Sequence, residues 1–137
     1  RYHLYAAHNC PWAHRAVMFR KIKKLEDVIS LTVSDRPKTH GWGFSGLVDV
    51  TEPTTDGNYY LYQAYQAATP NITARVTVPT LWDRQNKTVV NNESSEIIRM
   101  LNSAFDEWGD DSLDFYPEPL RPEIDRINNI IYRCNTY

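Results

Sequence analysis

A Cys10-Pro11 pair separates an aromatic, β-prone run from a helical stripe, and this junction restricts the fold more than any other feature of the chain. Tyr2-His3-Leu4-Tyr5-Ala6 reads as a strand. Beyond Ala7-His8-Asn9, residues Trp12 to Leu25 carry helical periodicity: Ala13, Ala16 and Val17 form one stripe, widened by Met18, Ile22 and Leu25. Pro11 suits the first helical position, where a missing N–H loses no partner and a fixed φ fits the turn. Val28-Ile29-Ser30-Leu31-Thr32-Val33 follows, apolar nearly throughout, as expected of a strand covered on both faces. Strand, helix and strand make a βαβ unit whose two strands run parallel.

From Ser34 to about Tyr60 the pattern dissolves into turn signals: Asp35-Arg36-Pro37, Gly41, Gly43, Gly46, Pro53 and Asp56-Gly57. A loop this long in a compact domain is usually functional. A short helix is expected over Leu61 to Ala67, then a strand over Val76-Thr77-Val78-Pro79-Thr80-Leu81-Trp82. Thr88-Val89-Val90 pairs back across the turn formed by residues 83–87. Ser94 to Phe105 is helical, with Ile97 and Leu101 on its apolar face and Ile98 and Phe105 flanking them. The order is βαβ, then α, then ββα, an α/β domain over residues 1–108. A polar, proline-broken linker spans residues 109–121. Residues 122–137, with Ile124, Ile127, Ile130 and Ile131, begin an amphipathic helix with no partner in this chain, the expected opening of an all-helical second domain. A start at Arg1 and an end inside a helical pattern lead us to expect a piece of a longer protein.

Charge excludes several classes of function. Lysine and arginine number 15 against 17 acidic residues, a formal charge of -2, so nucleic acid is not expected as the main partner. The one basic cluster, Arg20-Lys21-Lys23-Lys24, has the spacing of a helix's solvated side. No apolar run approaches the ~20 residues that span a bilayer. Two cysteines make no disulfide framework, and four scattered histidines do not spell a structural zinc site.

The chemistry is expected at Cys10. The first N–H groups of a helix have no intrahelical partner, and with the positive end of the macrodipole they favour a thiolate over a thiol. The alternative is a buried, inert cysteine, against which the strand-cysteine-proline-helix order argues. Cys-Pro-Trp-Ala puts Ala13 where a second cysteine would stand in a CxxC motif. A lone thiolate must therefore form a mixed disulfide with an external thiol and be released by another. Cys134 is expected to be packed or free, and a metal held by Cys10 and His14 lacks the other ligands, so no metal is expected.

Two further places bear on binding. A proline within a strand belongs at an edge or irregularity. A cis Val78–Pro79 bond would turn the Val78 backbone groups outward to pair with an extended peptide beside Cys10; a trans edge proline is the plainer alternative. Asn92-Glu93-Ser94-Ser95 opens a helix, where N–H groups and a hydroxyl suit a carboxylate. Capping alone would explain the same residues.

A thiol at the first helix start, then Val-Pro, then Glu-Ser at a later helix start, resembles the glutathione-binding, thioredoxin-like domain of glutathione transferases. Four longer runs are similar to the glutathionyl-hydroquinone reductases, the Xi class of that family. They are Asn9-Cys10-Pro11-Trp12-Ala13-His14-Arg15, Gly41-Trp42-Gly43-Phe44, residues 75–83 and residues 92–100. The resemblance implies a thioredoxin-like βαβ-α-ββα domain followed by a truncated all-helical one. It implies glutathione as co-substrate and reduction of glutathionyl-hydroquinones to hydroquinones. Position by position, Cys10 is the nucleophile and the Val78 backbone pairs with the cysteinyl part of glutathione. Glu93 and Ser94 hold the γ-glutamyl end, Trp42 and Arg75 cover and charge-pair the tripeptide, and Pro11 and Pro79 are structural. Read alone, Trp42 could equally anchor the loop and Arg75 could be a solvated charge. The resemblance further implies a cytoplasmic protein that is a homodimer at full length, its hydroquinone-pocket tyrosines in the missing helical domain. Competing expectations are an omega-like thioltransferase or dehydroascorbate reductase, a non-catalytic interaction module, and a redox sensor.

Overall fold

The computed structural model describes residues 1–36, 38, 40–46 and 54–135. In chain order the elements are β1 (Tyr2–Ala6), α1 (Pro11–Ile22), β2 (Ile29–Val33), β3 (Gly43–Phe44), β4 (Tyr59–Tyr60), α2 (Leu61–Ala68), β5 (Thr80–Asp83), β6 (Thr88–Asn91), α3 (Ser94–Ser103), a single 3-10 turn (Glu118–Leu120) and α4 (Arg121–Asn135). A four-stranded sheet has the order β2-β1-β5-β6. β1 pairs in parallel with β2, Leu4 opposite Leu31, and antiparallel with β5, Leu4 opposite Leu81. This is the thioredoxin-like arrangement that the motifs imply.

Alternation along β1 divides the core between the two faces of the sheet. Tyr5 and Trp82 pack with Phe44, Leu61, Ala64 and Tyr65, which seats α2 on one face. Leu4 and Leu81 pack with Ala16, Leu25, Ile97 and Leu101, which seats α1 and α3 on the other. Cys10 and Ala13 belong to the first cluster, so the start of α1 reaches past the end of the sheet toward the α2 side.

Several expectations are corrected. β2 is an edge strand: only Ile29 is fully buried and the rest is half-buried, because β1 takes the interior position with β5 on its other side. The long loop contains a two-residue ribbon, β3 against β4. Gly43 is required there, since a Cβ would lie 2.9 Å from the Arg36 Cβ and 3.2 Å from the Tyr60 ring. Pro37 and Pro53, expected as breakers, lie outside the described residues. The strand expected from Val76 begins at Thr80, and it runs on to Asp83, whose carboxylate accepts the backbone N–H groups of Gln85 and Asn86 and organises the turn.

The basic cluster at the end of α1 is a solvated face only in part: Lys21 and Lys24 are exposed, Arg20 is half-buried and Lys23 is buried. Lys23 is 1% exposed, and its Nζ donates to Asp106 Oδ1 at 3.0 Å and to the Leu113 carbonyl at 2.8 Å. Arg20 donates to the Ile29 carbonyl and Lys24 pairs with Asp110. The Lys23 and Lys24 bonds fasten the end of α1 to the segment after α3, and the Arg20 bond ties it to β2. α4 is not without partners either: Arg99 pairs with Asp125 at 3.1 Å, and the Tyr132 ring lies 6.1 Å from Trp12. Its Ile127, Ile130 and Ile131 remain exposed. No helix among the described residues is long and apolar enough to cross a membrane.

His3 gives the fold a pH dependence. It is fully enclosed, with Nδ1 2.7 Å from Ser30 Oγ and Nε2 buried without a hydrogen-bond partner. Burial first, then the charges of Arg84 and Arg20, lower its pKa from 6.5 to about 4. Between those values the unfolded chain binds a proton that the native chain refuses, so stability falls as pH drops through the window. Urea unfolding at pH 7 and pH 5 should show a loss of about 2 kcal/mol from this residue. The loss should vanish in His3→Asn, which can keep the Ser30 bond; an identical pH slope in that variant would refute the assignment.

Candidate active site

Cys10 is the N-cap residue of α1. Its backbone is extended (φ -103°, ψ 110°), and its carbonyl accepts the His14 N–H at 3.0 Å, the first bond of the helix. Pro11 occupies the first turn, where no N–H is needed. The Cys10 side chain is 9% exposed and its Sγ donates to the Val78 carbonyl at 3.4 Å. The Val78–Pro79 peptide bond is cis. Val76 to Pro79 lie outside the sheet ladder, so the segment that meets the sulfur is free of strand pairing on the β5 side.

The sulfur faces a cavity of about 380 Å³. All the residues expected to form the site line it: Cys10, Trp42, Arg75, Val78, Glu93 and Ser94. They come from four segments far apart in sequence, which no local pattern alone could bring together. Trp42 anchors its loop and also lines the cavity. Its half-buried ring packs against the core and its carbonyl accepts the Leu61 N–H at 2.9 Å, yet it also lines the cavity, with Lys38 Nζ 4.1 Å from its ring centroid. Arg75 is exposed at the rim.

The start of α3 forms the opposite end. Glu93, rather than Asn92 or a serine, is the cap: its Oε1 accepts the Ser95 N–H and the Ser95 hydroxyl, each at 3.1 Å. Ser94 is 3% exposed and its Oγ accepts Arg15 Nε at 3.0 Å and Nη2 at 2.6 Å. The same guanidinium lies 3.6 Å from Glu93 Oε1. Capping and anion binding are therefore compatible, because the cap uses a carboxylate and leaves the hydroxyl to a different partner.

A chain of hydrogen bonds, buried at its middle, joins the two ends. Asn92 Nδ2 donates to the Tyr65 hydroxyl at 3.0 Å, Tyr65 lies 3.0 Å from Thr80 Oγ1, and Thr80 donates to the Thr77 carbonyl at 2.7 Å. Since the Thr80 proton is committed to Thr77, Tyr65 donates to Thr80.

Sequence reasoning missed Arg15, Trp12, Lys38, Tyr65 and Tyr132. Arg15 sits in the same run as Cys10, five residues on, a spacing that leaves the apolar stripe and turns toward α3. Tyr132 lines the cavity from α4, the helix expected to have no partner. Lys38 stands in a breaker-rich loop that offers no periodic signal. Cys134 is exposed and free. Among the described residues no group of three or more His, Cys, Asp or Glu could hold a metal ion. Along the groove between α1, α3 and α4 runs a second hollow of about 570 Å³, which shares Trp12, Glu93 and Tyr132 with the first.

Comparison with known proteins follows the same lines. The family model for the glutathione S-transferase N-terminal domain matches residues 9–104. Glutathionyl-hydroquinone reductase PcpF of Sphingobium chlorophenolicum is 53% identical over 133 residues, 96% of this chain and 42% of that protein. Glutathionyl-hydroquinone reductase YqjG of Escherichia coli is 48% identical over 134 residues, 96% of this chain and 41% of that protein. The glutathione-bound structure of YqjG superposes with a TM-score of 0.83, covering 96% of this chain and 44% of that one at 48% identity. Glutathione transferase Xi 1 from Trametes versicolor gives 0.81 at 45% identity, covering 96% and 48%. The chain thus spans less than half the length of these relatives.

Proposed function

This chain belongs to the glutathione S-transferase family through its N-terminal domain, and from that premise we propose that it binds glutathione beside Cys10 and serves the reduction of glutathionyl-hydroquinones. The observation that carries the reading is one cavity in which a helix-start sulfur is flanked by cations at one end and by a carboxylate and a buried hydroxyl at the other. Glutathione bears two carboxylates and one ammonium group, and that distribution of partners complements it. Val78, outside the sheet ladder, offers its backbone to the cysteinyl part, Glu93 and Ser94 receive the γ-glutamyl end, and Arg75 with Trp42 the remainder.

In the reaction, the Cys10 thiolate attacks the glutathionyl sulfur. The sulfur–carbon bond to the aromatic ring breaks, and the ring carbon keeps the electron pair and takes up a proton to give the hydroquinone. A second glutathione thiolate then attacks the Cys10–glutathione disulfide, releasing oxidised glutathione and the Cys10 thiolate. The ring carbon is reduced and two glutathione sulfurs are oxidised. Trp12 and Tyr132, on the wall shared with the larger hollow, flank the space open to an aromatic acceptor.

A second reading has its own support: a relative in Schizosaccharomyces pombe, 45% identical over 137 residues, is named glutathione S-transferase omega-like 2. Turnover of glutathionyl-menadiol against a mixed disulfide of glutathione and a small thiol separates the two. We expect kcat/KM to favour the hydroquinone conjugate by at least about tenfold; a preference for the disulfide would overturn the first reading in favour of the second. Three finer elements rest on the family resemblance: residues 1–108 as the glutathione-binding domain with 109–121 as linker and 122–137 as the start of an all-helical domain, a homodimer at full length, and residence in the cytoplasm, where reduced glutathione is abundant.

A further inference from the structure

We propose that Arg15 is a positioning residue for the anionic end of the ligand, acting through the Ser94 hydroxyl; the inference rests on the reading that this end of glutathione binds at Ser94. Arg15 lines the larger hollow and not the cavity that holds Cys10, so it stands behind Ser94 as seen from the ligand. A serine hydroxyl has one proton to give and two lone pairs. Two guanidinium N–H groups, at 3.0 and 2.6 Å, occupy the accepting side of Ser94 Oγ. Only the donating side is left. Without a ligand it meets Glu93 Oε1 at 3.5 Å, the outer limit of a hydrogen bond, and an incoming carboxylate takes this proton at little loss.

The same cation answers an electrostatic difficulty. The Glu93 carboxylate stands beside the place where a second carboxylate must dock, and negative charge left unbalanced there would repel it. Arg15 lies 3.6 Å from Glu93, and its half-buried side chain puts a positive charge next to that carboxylate. The guanidinium also sits 5.2 Å from the Trp12 ring centroid, which fixes its plane. Cys10 caps α1 and Arg15 lies within it, so one helix spaces the sulfur from the guanidinium that holds the Ser94 hydroxyl of α3.

Calorimetric titration of the chain with reduced glutathione tests this. Arg15→Met should weaken binding about tenfold, the loss of one charge-assisted hydrogen bond. In a Ser94→Ala background the same substitution should change affinity less than about twofold. Arg15→Lys, which keeps the charge and loses the fork, should fall between Arg15→Met and the parent, and it supplies the measurement if Arg15→Met does not fold. Rates of Cys10 modification by oxidised glutathione and by the disulfide of cysteinylglycine give an independent readout. The dipeptide lacks the γ-glutamyl carboxylate, so Arg15→Met should slow the first reaction and leave the second unchanged. Equal losses in both serine backgrounds, or equal slowing of both disulfides, would mean that Arg15 only staples α1 to α3 and would overturn the proposal. Binding by Arg15→Met as tight as the parent would overturn it too. If the parent chain itself fails to bind glutathione, it is the functional reading that falls.

Discussion

Cys10→Ser should abolish covalent capture of glutathione. After incubation with oxidised glutathione, mass spectrometry should find one glutathionyl group on Cys10 in the parent chain and none at position 10 in the variant. Cys134→Ser should still gain the group at Cys10, because the exposed α4 cysteine lies apart from the cavity residues. Reduction of glutathionyl-menadiol should fall by at least about a thousandfold, since removing a nucleophile removes the intermediate itself rather than slowing it. The geometry makes serine a near-isosteric probe. The helix-cap position, the neighbouring proline and the Val78 carbonyl partner all persist, and only the ability to form a sulfur–sulfur bond is lost. Turnover within tenfold of the parent would leave Cys10 with a packing role and favour a non-catalytic module.

The second large effect is on stability, at the far end of the same helix. Gly109→Ala should destabilise the chain by about 2–3 kcal/mol, read as a lower urea midpoint. A Cβ there would lie 2.6 Å from the Lys23 carbonyl oxygen and 2.7 Å from Leu25 Cδ2. The first of these is backbone and cannot rotate away. That carbonyl also accepts the Asp110 N–H at 2.8 Å, so relieving the clash breaks the bond that docks the segment. Lys23→Met should destabilise by about 1–3 kcal/mol, because Asp106 and the Leu113 carbonyl lose the charged donor that the buried lysine presents to them. The two losses should add to less than their sum, as both release the same segment from α1. A Gly109→Ala chain with an unchanged midpoint would show that the segment is held elsewhere.

Local chemistry in the sequence announced the elements whose partners are near in the chain. The β1-α1-β2 unit, the helix at Leu61, the turn at 83–87 and α3 each carry their own periodicity and punctuation, and each lies within a few residues of its expected place. Position within the sheet is different, because it depends on which strand arrives last. An apolar β2 reads as covered on both faces, and its place at the edge of the sheet leaves it half-buried. Lys23 misleads for a similar reason: its spacing is that of a surface lysine, while its acceptor comes from the segment after α3. Within the site, Cys10, Val78, Glu93 and Ser94 were legible because each marks a helix start or a proline-broken strand. Trp42 and Arg75 were named by resemblance, since a tryptophan in a loop and an arginine before a strand carry no chemistry of their own. Arg15 and Tyr65 were invisible because they act through other side chains, and a role of that kind exists only once the chain has folded.

The hydrogen-bond chain from Asn92 through the buried Tyr65 and Thr80 to Thr77 runs its donors in one direction, from the mouth of α3 to the loop before Pro79. Such a chain behaves as a gauge: it spaces the backbone edge from the first turn of α3 before anything binds, so that a peptide of the right reach finds both ends prepared. Little ordering is then left to the moment of encounter, and a ligand one residue shorter can satisfy either end but not the two at once.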